Sequence, residues 1–462
     1  MRSCNQAARM LMRSGGDITA LRRREFSRLD ATGSAYLDYA GAALYPASLV
    51  KRDARRLLRR VFGNPHSENG PSLASTESLE EARSLTLNFF DASPAEYDVV
   101  FTTNASGAMR VLAEAFPFRD GSRLVLTADN HNSVNGLRVS AERRRAVVHY
   151  VPLETDLRGS DPRPWLVRAT QPSLFAFPAQ SNFSGVRHPL QWVKDAQARG
   201  YHVLLDAAAY VPSSPLSLTD VPADFVAISF YKMFGYPTGV GALLVRREAL
   251  ALLDRAYFSG GTVHFVSIQN PDLFRRRNGG AAFEDGTPNF LAMPSVCDGL
   301  RWLSRVGMSS IQKRVGCLTS ELLTGFERLG DCVHVYGPAD ALERGGIVAF
   351  NVYSDGEVLN YEAVEASARH RGIAIRGGCF CNPGASERAF GVNAAHARDC
   401  VRGKFSVAQF RACMDGKAVG ALRASLGVAT SEADIDRLLE LVAELTGREV
   451  RLVTSSSGRR PL

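Results

Sequence analysis

Lys232 stands in the run Ser229-Phe230-Tyr231-Lys232-Met233-Phe234-Gly235, one apolar run downstream of Asp206, which closes Val203-Leu204-Leu205-Asp206. A lysine after a strand is ordinarily a solvated surface charge. Here Phe230, Tyr231 and Phe234 flank it, and an apolar setting favours the neutral, nucleophilic amine. An amine that condenses with an aldehyde, and a carboxylate that keeps a pyridine nitrogen protonated, are the two groups pyridoxal phosphate asks of a protein. Neither residue alone would carry that reading; the pair does.

Other residues gain meaning beside that pair. Thr102-Thr103-Asn104-Ala105-Ser106-Gly107 follows a strand-like run and opens a helix-like one, so backbone N–H groups there can approach a phosphate. Such residues also cap ordinary helices, and Asp206 and Lys232 are what turn the loop into a phosphate cradle. Ser229 is a further donor. His131 follows the run 123–127; a lone histidine is commonly a structural hydrogen-bonder, but over a cofactor ring it would hold the plane and shuttle a proton.

The second chemical segment is Arg376-Gly377-Gly378-Cys379-Phe380-Cys381-Asn382-Pro383-Gly384-Ala385. Glycines and Pro383 put its Cys-x-Cys on a loop. A metal site would need further ligands, and His396, Cys400 and Cys413 are poorly spaced for one. Two small loop residues without chemistry are one reading. A thiolate nucleophile activated by a basic neighbour such as Arg376 is the other, and the one preferred. Arg423, among the apolar neighbours of Leu422-Arg423-Ala424-Ser425-Leu426, wants a partner: a bidentate amino-acid carboxylate, or an internal ion pair.

The elements that must position these residues alternate. Strand-like runs fall at 98–101, 123–127, 146–151, 173–177, 202–206, 225–228 and 241–245, with helix-like stretches at 105–115, 189–199 and 247–257. Alternation of this kind predicts a mostly parallel sheet covered by helices. Beyond about Val333, strands at 346–352 and 423–428 with helices at 357–371 and 432–445 predict a smaller α+β domain. The 462 residues, 45% hydrophobic and 22% charged, fit an ordinary soluble globular protein with a large core. No apolar run approaches the roughly 20 residues of a membrane span. The net charge of +8 is scattered, its densest runs being short (Arg22 to Arg24, Arg143 to Arg145, Arg275 to Arg277), which argues against nucleic acid. Eight cysteines make no disulfide framework in a chain this long and predict a reducing, cytoplasmic setting. Residues 1–19 and 454–462 read as disordered extensions.

These motifs give the chain a relative. It resembles the class V pyridoxal-phosphate enzymes, in particular the cysteine-desulfurase-like part of the molybdenum cofactor sulfurases. The resemblance rests on Tyr36-Leu37-Asp38-Tyr39-Ala40-Gly41-Ala42, Gly63-Asn64-Pro65-His66-Ser67, Asp206-Ala207-Ala208-Ala209, the segment 229–241, Gly286-Thr287-Pro288-Asn289 and Cys379-Phe380-Cys381-Asn382-Pro383-Gly384. It implies a type I fold, with a mostly parallel seven-stranded sheet in a large domain at 20–330, whose first part is free to join a small α+β domain at 331–453. It also implies Lys232 as the Schiff-base lysine, Asp206 at the pyridine nitrogen and His131 stacked on the ring. Ala105, Ser106 and Ser229 would hold the phosphate, with Thr287 from a second subunit of a homodimer.

Asn182 and Arg423 would take the substrate carboxylate, Arg376 standing nearby. Cys381 would receive sulfur from L-cysteine, with Cys379 in reserve and no metal involved. Generic desulfurases carry glutamine at the Ala209 position and histidine at the Tyr231 position; the chain agrees with the sulfurase branch at both. Eukaryotic sulfurases continue into a further cofactor-binding domain. This chain runs out soon after Arg448 and is expected to lack it, which leaves the acceptor open between molybdenum cofactor and a carrier protein. The insertion-like stretch 393–410 would shape access to the acceptor. A lyase or aminotransferase acting on another amino acid would share every cofactor residue, and a scaffold docking an acidic sulfur carrier is the non-enzymatic alternative.

Overall fold

Short apolar runs ending in polar residues pair into sheets in the computed structural model, which describes residues 18–392 and 418–448 together with Cys400, Gln409 and Cys413. A two-residue strand, β1 (Ala35–Tyr36), precedes the main sheet. That sheet comprises β2 (Tyr97–Thr102), β3 (Arg123–Thr127), β4 (Val147–Val151), β5 (Ser173–Pro178), β6 (Tyr201–Asp206), β7 (Phe225–Ser229) and β8 (Gly241–Arg246), in the order β2-β8-β7-β6-β5-β3-β4. Every pairing is parallel except those of β8, which runs antiparallel to both β2 and β7. Central strands β5 and β7 are buried at every residue, as a sheet covered on both faces requires.

The helix Ala105–Ala115 covers one face, packing Ala108 and Leu112 with Leu204, Phe225 and Leu243. On the other face Phe175, Leu205 and Val226 pack with residues of Gly70–Phe89, Trp192–Gln197 and Met293–Val306. The expected helices 189–199 and 247–257 form over shorter spans, Trp192–Gln197 and Arg247–Leu252. Helices Ala47–Arg59, Gly70–Phe89, Met293–Val306 and Met308–Arg328 add to the predicted set. Among the described residues no helix is long and apolar enough to cross a membrane.

A second, antiparallel sheet joins Val333–Tyr336, Ile347–Ser354, Ala421–Ser425 and Arg376–Gly378 in that order, with Glu357–Val358 hydrogen-bonded to Ile347–Ser354. Helices Tyr361–His370 and Glu432–Leu445 accompany it. The beginning of the chain lies with this sheet: β1 pairs in parallel with Ile373–Ala374, and Asp38 bridges to Ser425.

The expected extension 1–19 gives way to a helix from Ile18 (Ile18–Glu25), while residues 1–17, the tail 454–462 and most of 393–410 lie outside the described residues. The cysteine reading needs one correction. Cys400 and Cys413, considered above only as poor metal ligands, are joined as a disulfide. Connectivity of this kind is not deducible from spacing alone.

Candidate active site

β7 ends at Ser229, and Phe230–Phe234 forms a single helical turn closed by Gly235 in the left-handed region (φ 76°). A side chain at Gly235 would run into the backbone of Leu44 and Tyr45, so the turn carrying Lys232 is fixed tightly against the start of the chain. Lys232 reaches into a cleft shared with His131, Asn182, Asp206, Ser106 and Ser229. Although the cleft gives it some access to solvent, protein surrounds its amine, and burial holds its pKa below the ordinary lysine range. Asp206 opposes that shift, while Arg423 and Arg376 add to it. Asp206 ends β6, the strand beside β7, and its Oδ1 accepts a hydrogen bond from Ala208 N at 3.0 Å. The strand-end pair read from the sequence thus meets across adjacent strand termini, where ligands of open α/β sheets bind.

The anion-binding end is built at the helix Ala105–Ala115, though two of its donors are already engaged. Ala105 N donates to Ser229 Oγ at 2.8 Å, and Gly107 N donates to its N-cap, Asn104 Oδ1, at 3.0 Å. Ser106 and Ser133 share a hydroxyl contact of 2.6 Å. His131 Nδ1 accepts from Ser133 N at 3.1 Å, so a neutral ring carries its proton on Nε2. Burial, above all, lowers the His131 pKa and favours that neutral form. Thr287 does not join this cleft in its own chain. It accepts from Asn64 Nδ2 at 3.1 Å and lines a neighbouring cleft with Thr103, Gly107 and Asn289. Gln180, which the sequence reading passed over, is 1% exposed at the cleft wall. Its Nε2 donates to Ala209 O at 2.9 Å while its Oε1 has no partner. An amine, a facing carboxylate, a ring-sized histidine wall and an orphaned buried amide oxygen suit a planar, polar, anionic-tailed cofactor such as pyridoxal phosphate.

Of the two readings of Arg423, its contacts show the internal ion pair. It is an internal ion pair, donating to Asp38 Oδ1 at 3.1 Å and to Asn182 O at 2.9 Å, with its guanidinium 4.5 Å from the Phe380 ring centre. Its Nε is buried without a partner. Burial lowers its pKa. Arg376 is its cross-strand neighbour and donates to Asp38 Oδ2 at 2.7 Å. Asp38, present in the first motif but given no role there, therefore contacts both arginines. No local pattern could have revealed partners so remote in sequence.

The cysteine loop is fastened to residues beside the cleft. Asn132 N donates to Cys381 O at 2.8 Å, tying the loop to the His131 segment, and Asn182 Nδ2 donates to Phe380 O at 2.7 Å. Asn382, fully buried, donates to Asp129 O at 2.7 Å and Asn182 Oδ1 at 2.9 Å, and caps the helix Pro383–Phe390 through Ala385 N. Phe380 and Cys381 both adopt the left-handed region, at φ 54° and 55°. Consecutive non-glycine residues there are strained, and such strain gathers at functional sites. The two thiols face different surroundings. Charge on Cys381 is felt at Lys232 and Arg423; Cys379 Sγ donates to Val419 O at 3.3 Å and is felt at Tyr361.

Comparison with known proteins places this geometry. The model of the class-V aminotransferase family matches residues 35–438. Molybdenum cofactor sulfurase from Bos taurus is 35% identical over 458 residues, covering 92% of this chain and 52% of the relative. That from Homo sapiens is 34% identical over 458 residues, covering 93% and 51%. The chain thus spans about half the length of these relatives. Among solved structures, the cysteine desulfurase of Thermococcus onnurineus NA1 aligns with a TM-score of 0.78 at 24% identity, covering 93% of this chain and 98% of that one. The Escherichia coli cysteine desulfurase CsdA aligns with a TM-score of 0.73 at 21% identity, covering 93% and 99%.

Proposed function

The chain belongs to the class-V aminotransferase family, and from that premise we propose that it is a pyridoxal 5′-phosphate-dependent sulfurtransferase of the cysteine desulfurase type. It would take sulfur from L-cysteine onto Cys381 as a persulfide and release alanine. The observation that carries this is the meeting of Lys232 and Asp206 in one cleft, with the Cys381 loop hydrogen-bonded to Asn182 at the cleft wall and its thiol close enough to influence Lys232.

Pyridoxal phosphate, when bound, supplies the electron sink that lets the α-carbon of an amino acid lose its proton. Lys232 would hold it, Asp206 would pair with the ring nitrogen and His131 would cover the ring face. Ser106, Ser229 and the Ala105 turn would meet the phosphate, with Thr287 contributed across a homodimer. Arg423 and Asn182 bind the substrate carboxylate, and Arg376 extends the positive region toward the thiol loop. Lys232, whose pKa burial lowers, accepts the α-proton at Nζ. The Cys381 thiolate then attacks the substrate sulfur: the new S–S bond forms as the substrate's C–S bond breaks, and protons returned to the three-carbon product give alanine. Holding the two sulfurs together contributes through proximity. The onward acceptor is taken to be molybdenum cofactor, as the names of the relatives state for them, or a carrier protein. The proposed location is the cytoplasm, where the exposed Cys381 thiol stays reduced, although the Cys400–Cys413 disulfide is of a kind rare there.

The test is mass spectrometry of the cofactor-loaded full chain after incubation with L-cysteine, together with alanine quantitation. Extra sulfur mapped to the Cys381 peptide, with alanine released, is the expected result. Lys232→Ala should abolish turnover; Cys381→Ala should keep the spectral response to L-cysteine and lose the persulfide. Full sulfur transfer by the Cys381 variant would overturn its role. A spectral response in wild type without added sulfur would instead assign the chain to the lyase or aminotransferase class.

A further inference from the structure

Arg376 and Arg423 are direct partners across two hydrogen-bonded strands. Like charges placed opposite each other in a sheet repel, and one of these, Arg423, is only 3% exposed at its side chain. Something must compensate them. Asp38 does so from a different part of the chain: its Oδ1 accepts from Arg423 Nη2 at 3.1 Å and from Arg376 Nε at 3.2 Å, and its Oδ2 accepts from Arg376 Nη2 at 2.7 Å. The backbone holds it there through the bridge of Asp38 to Ser425 and the bond from Tyr39 N to Ser425 O. Gly41 leaves room for the arrangement. A Cβ at that position would stand 2.5 Å from Arg376 Nη2 and 2.6 Å from Asp38 Oδ2. Among the described residues the two guanidinium groups share one hydrogen-bonded carboxylate, Asp38, while Glu365 adds a negative charge felt at Arg376 alone.

We infer that Asp38 is a positioning residue that clamps Arg423 and Arg376 together and leaves the buried Arg423 with no carboxylate of its own, so that a single substrate carboxylate completes the cluster beside the thiol loop. This rests on the reading of the cleft as an amino-acid site. Without Asp38 the two arginines separate, Arg376 turns toward solvent, and the buried Arg423 loses the contact that fixes its plane. Bidentate capture of a carboxylate depends on that plane.

The experiment titrates cofactor-loaded wild type, D38N, D38E and D38A with L-alanine and L-cysteine, following the visible absorption of the cofactor, and measures alanine formation from L-cysteine. D38N is expected to raise the L-alanine Kd and the L-cysteine KM at least tenfold, with kcat within about threefold. D38E should recover most of the loss. Sodium formate should compete with L-alanine in wild type but improve its binding in D38A, where it fills the vacated carboxylate position. G41A, which crowds the clamp without changing charge, should raise KM in the same direction and serves if D38N does not fold. A D38N Kd within twofold of wild type, or tighter, would overturn the inference, as would loss of thermal stability and kcat with KM unmoved. A wild type that answers neither amino acid would sink the functional reading itself, which is a different outcome.

Discussion

Asn382→Ala should uncouple sulfur transfer from cofactor binding, because Asn382 fastens the Cys381 loop without touching the Lys232 turn. Its side chain is fully buried and makes three bonds: two donated by Nδ2, to Asp129 O and Asn182 Oδ1, and one accepted by Oδ1 from Ala385 N. Losing an N-cap costs about 1 kcal/mol. Each of the two buried acceptors left without a donor costs about 1 kcal/mol at the lower end of the range. The sum, about 3 kcal/mol, corresponds to roughly a hundredfold fall in the ratio of docked to undocked loop. Rapid-quench measurement of alanine formed in a single turnover should therefore slow on the order of a hundredfold when docking limits the step, while the cofactor's visible band persists. Asn382→Asp keeps the cap oxygen but loses both donations, about 2 kcal/mol by the same reckoning, so it should slow the step about thirtyfold despite an intact helix start. Alanine formation within fivefold of wild type in Asn382→Ala would refute the reasoning. Parallel loss of the cofactor band would refute it differently, by showing that the loop supports the whole cleft.

Cys379→Ala should retain more than half of the alanine-forming rate, since that thiol faces Val419 O and Tyr361 rather than Lys232; a loss as complete as that of Cys381→Ala would reverse the assignment. Glu321 is pushed up to about 7 by burial and then by Glu432. Its folded value lies above its ordinary 4.5, so the folded state holds the proton more tightly, and that stabilisation is complete below pH 4.5 and lost as pH rises through about 7. Glu321→Gln should remove the slope and exceed wild type in urea melts at pH 8 by about 1–2 kcal/mol after allowance for solvent screening; equal wild-type and variant slopes would count against it. Arg344 is buried and donates to the carbonyls of Pro338, Ser184, Tyr336 and Ile347. Arg344→Met leaves these acceptors without a donor and should cost about 3 kcal/mol in thermal or denaturant melts, whereas an unchanged midpoint would mean that water replaces the side chain.

The chemistry at strand ends was legible because it is local. Lys232 and Asp206 are read from the runs that carry them, and β3, the helix Ala105–Ala115 and the helix Glu432–Leu445 form over the residues predicted. The helix Gly70–Phe89 was not legible, because what it buries includes Ser72, Ser75, Ala82 and Thr86, small and polar residues that give no apolar stripe. The expected helix over 357–371 starts instead at Tyr361, since Glu357–Val358 is taken into the second sheet. Asp38 and Gln180 escaped for a different reason: the first contacts arginines far along the chain, and the second shows its role only as an unpaired buried oxygen. Asn382 was quoted as part of a motif, yet its function as a fastener appears only when Asp129 and Asn182 are brought to it.

The pairing of β1 with Ile373–Ala374 also sets an order of assembly. Asp38 and Arg376 are 338 positions apart, so their ion pair closes a long loop. Contacts of such separation carry a large closure entropy and form late. During synthesis the main sheet, whose strands lie between Tyr97 and Arg246, can gather while the segment around Asp38 still waits for its partners. A chain truncated before Arg423 would then own the Lys232 turn and Asp206 but not the completed arginine clamp. The Lys232 turn and the arginine clamp are thus supplied by stretches far apart in the chain, and the clamp exists only once those stretches have met.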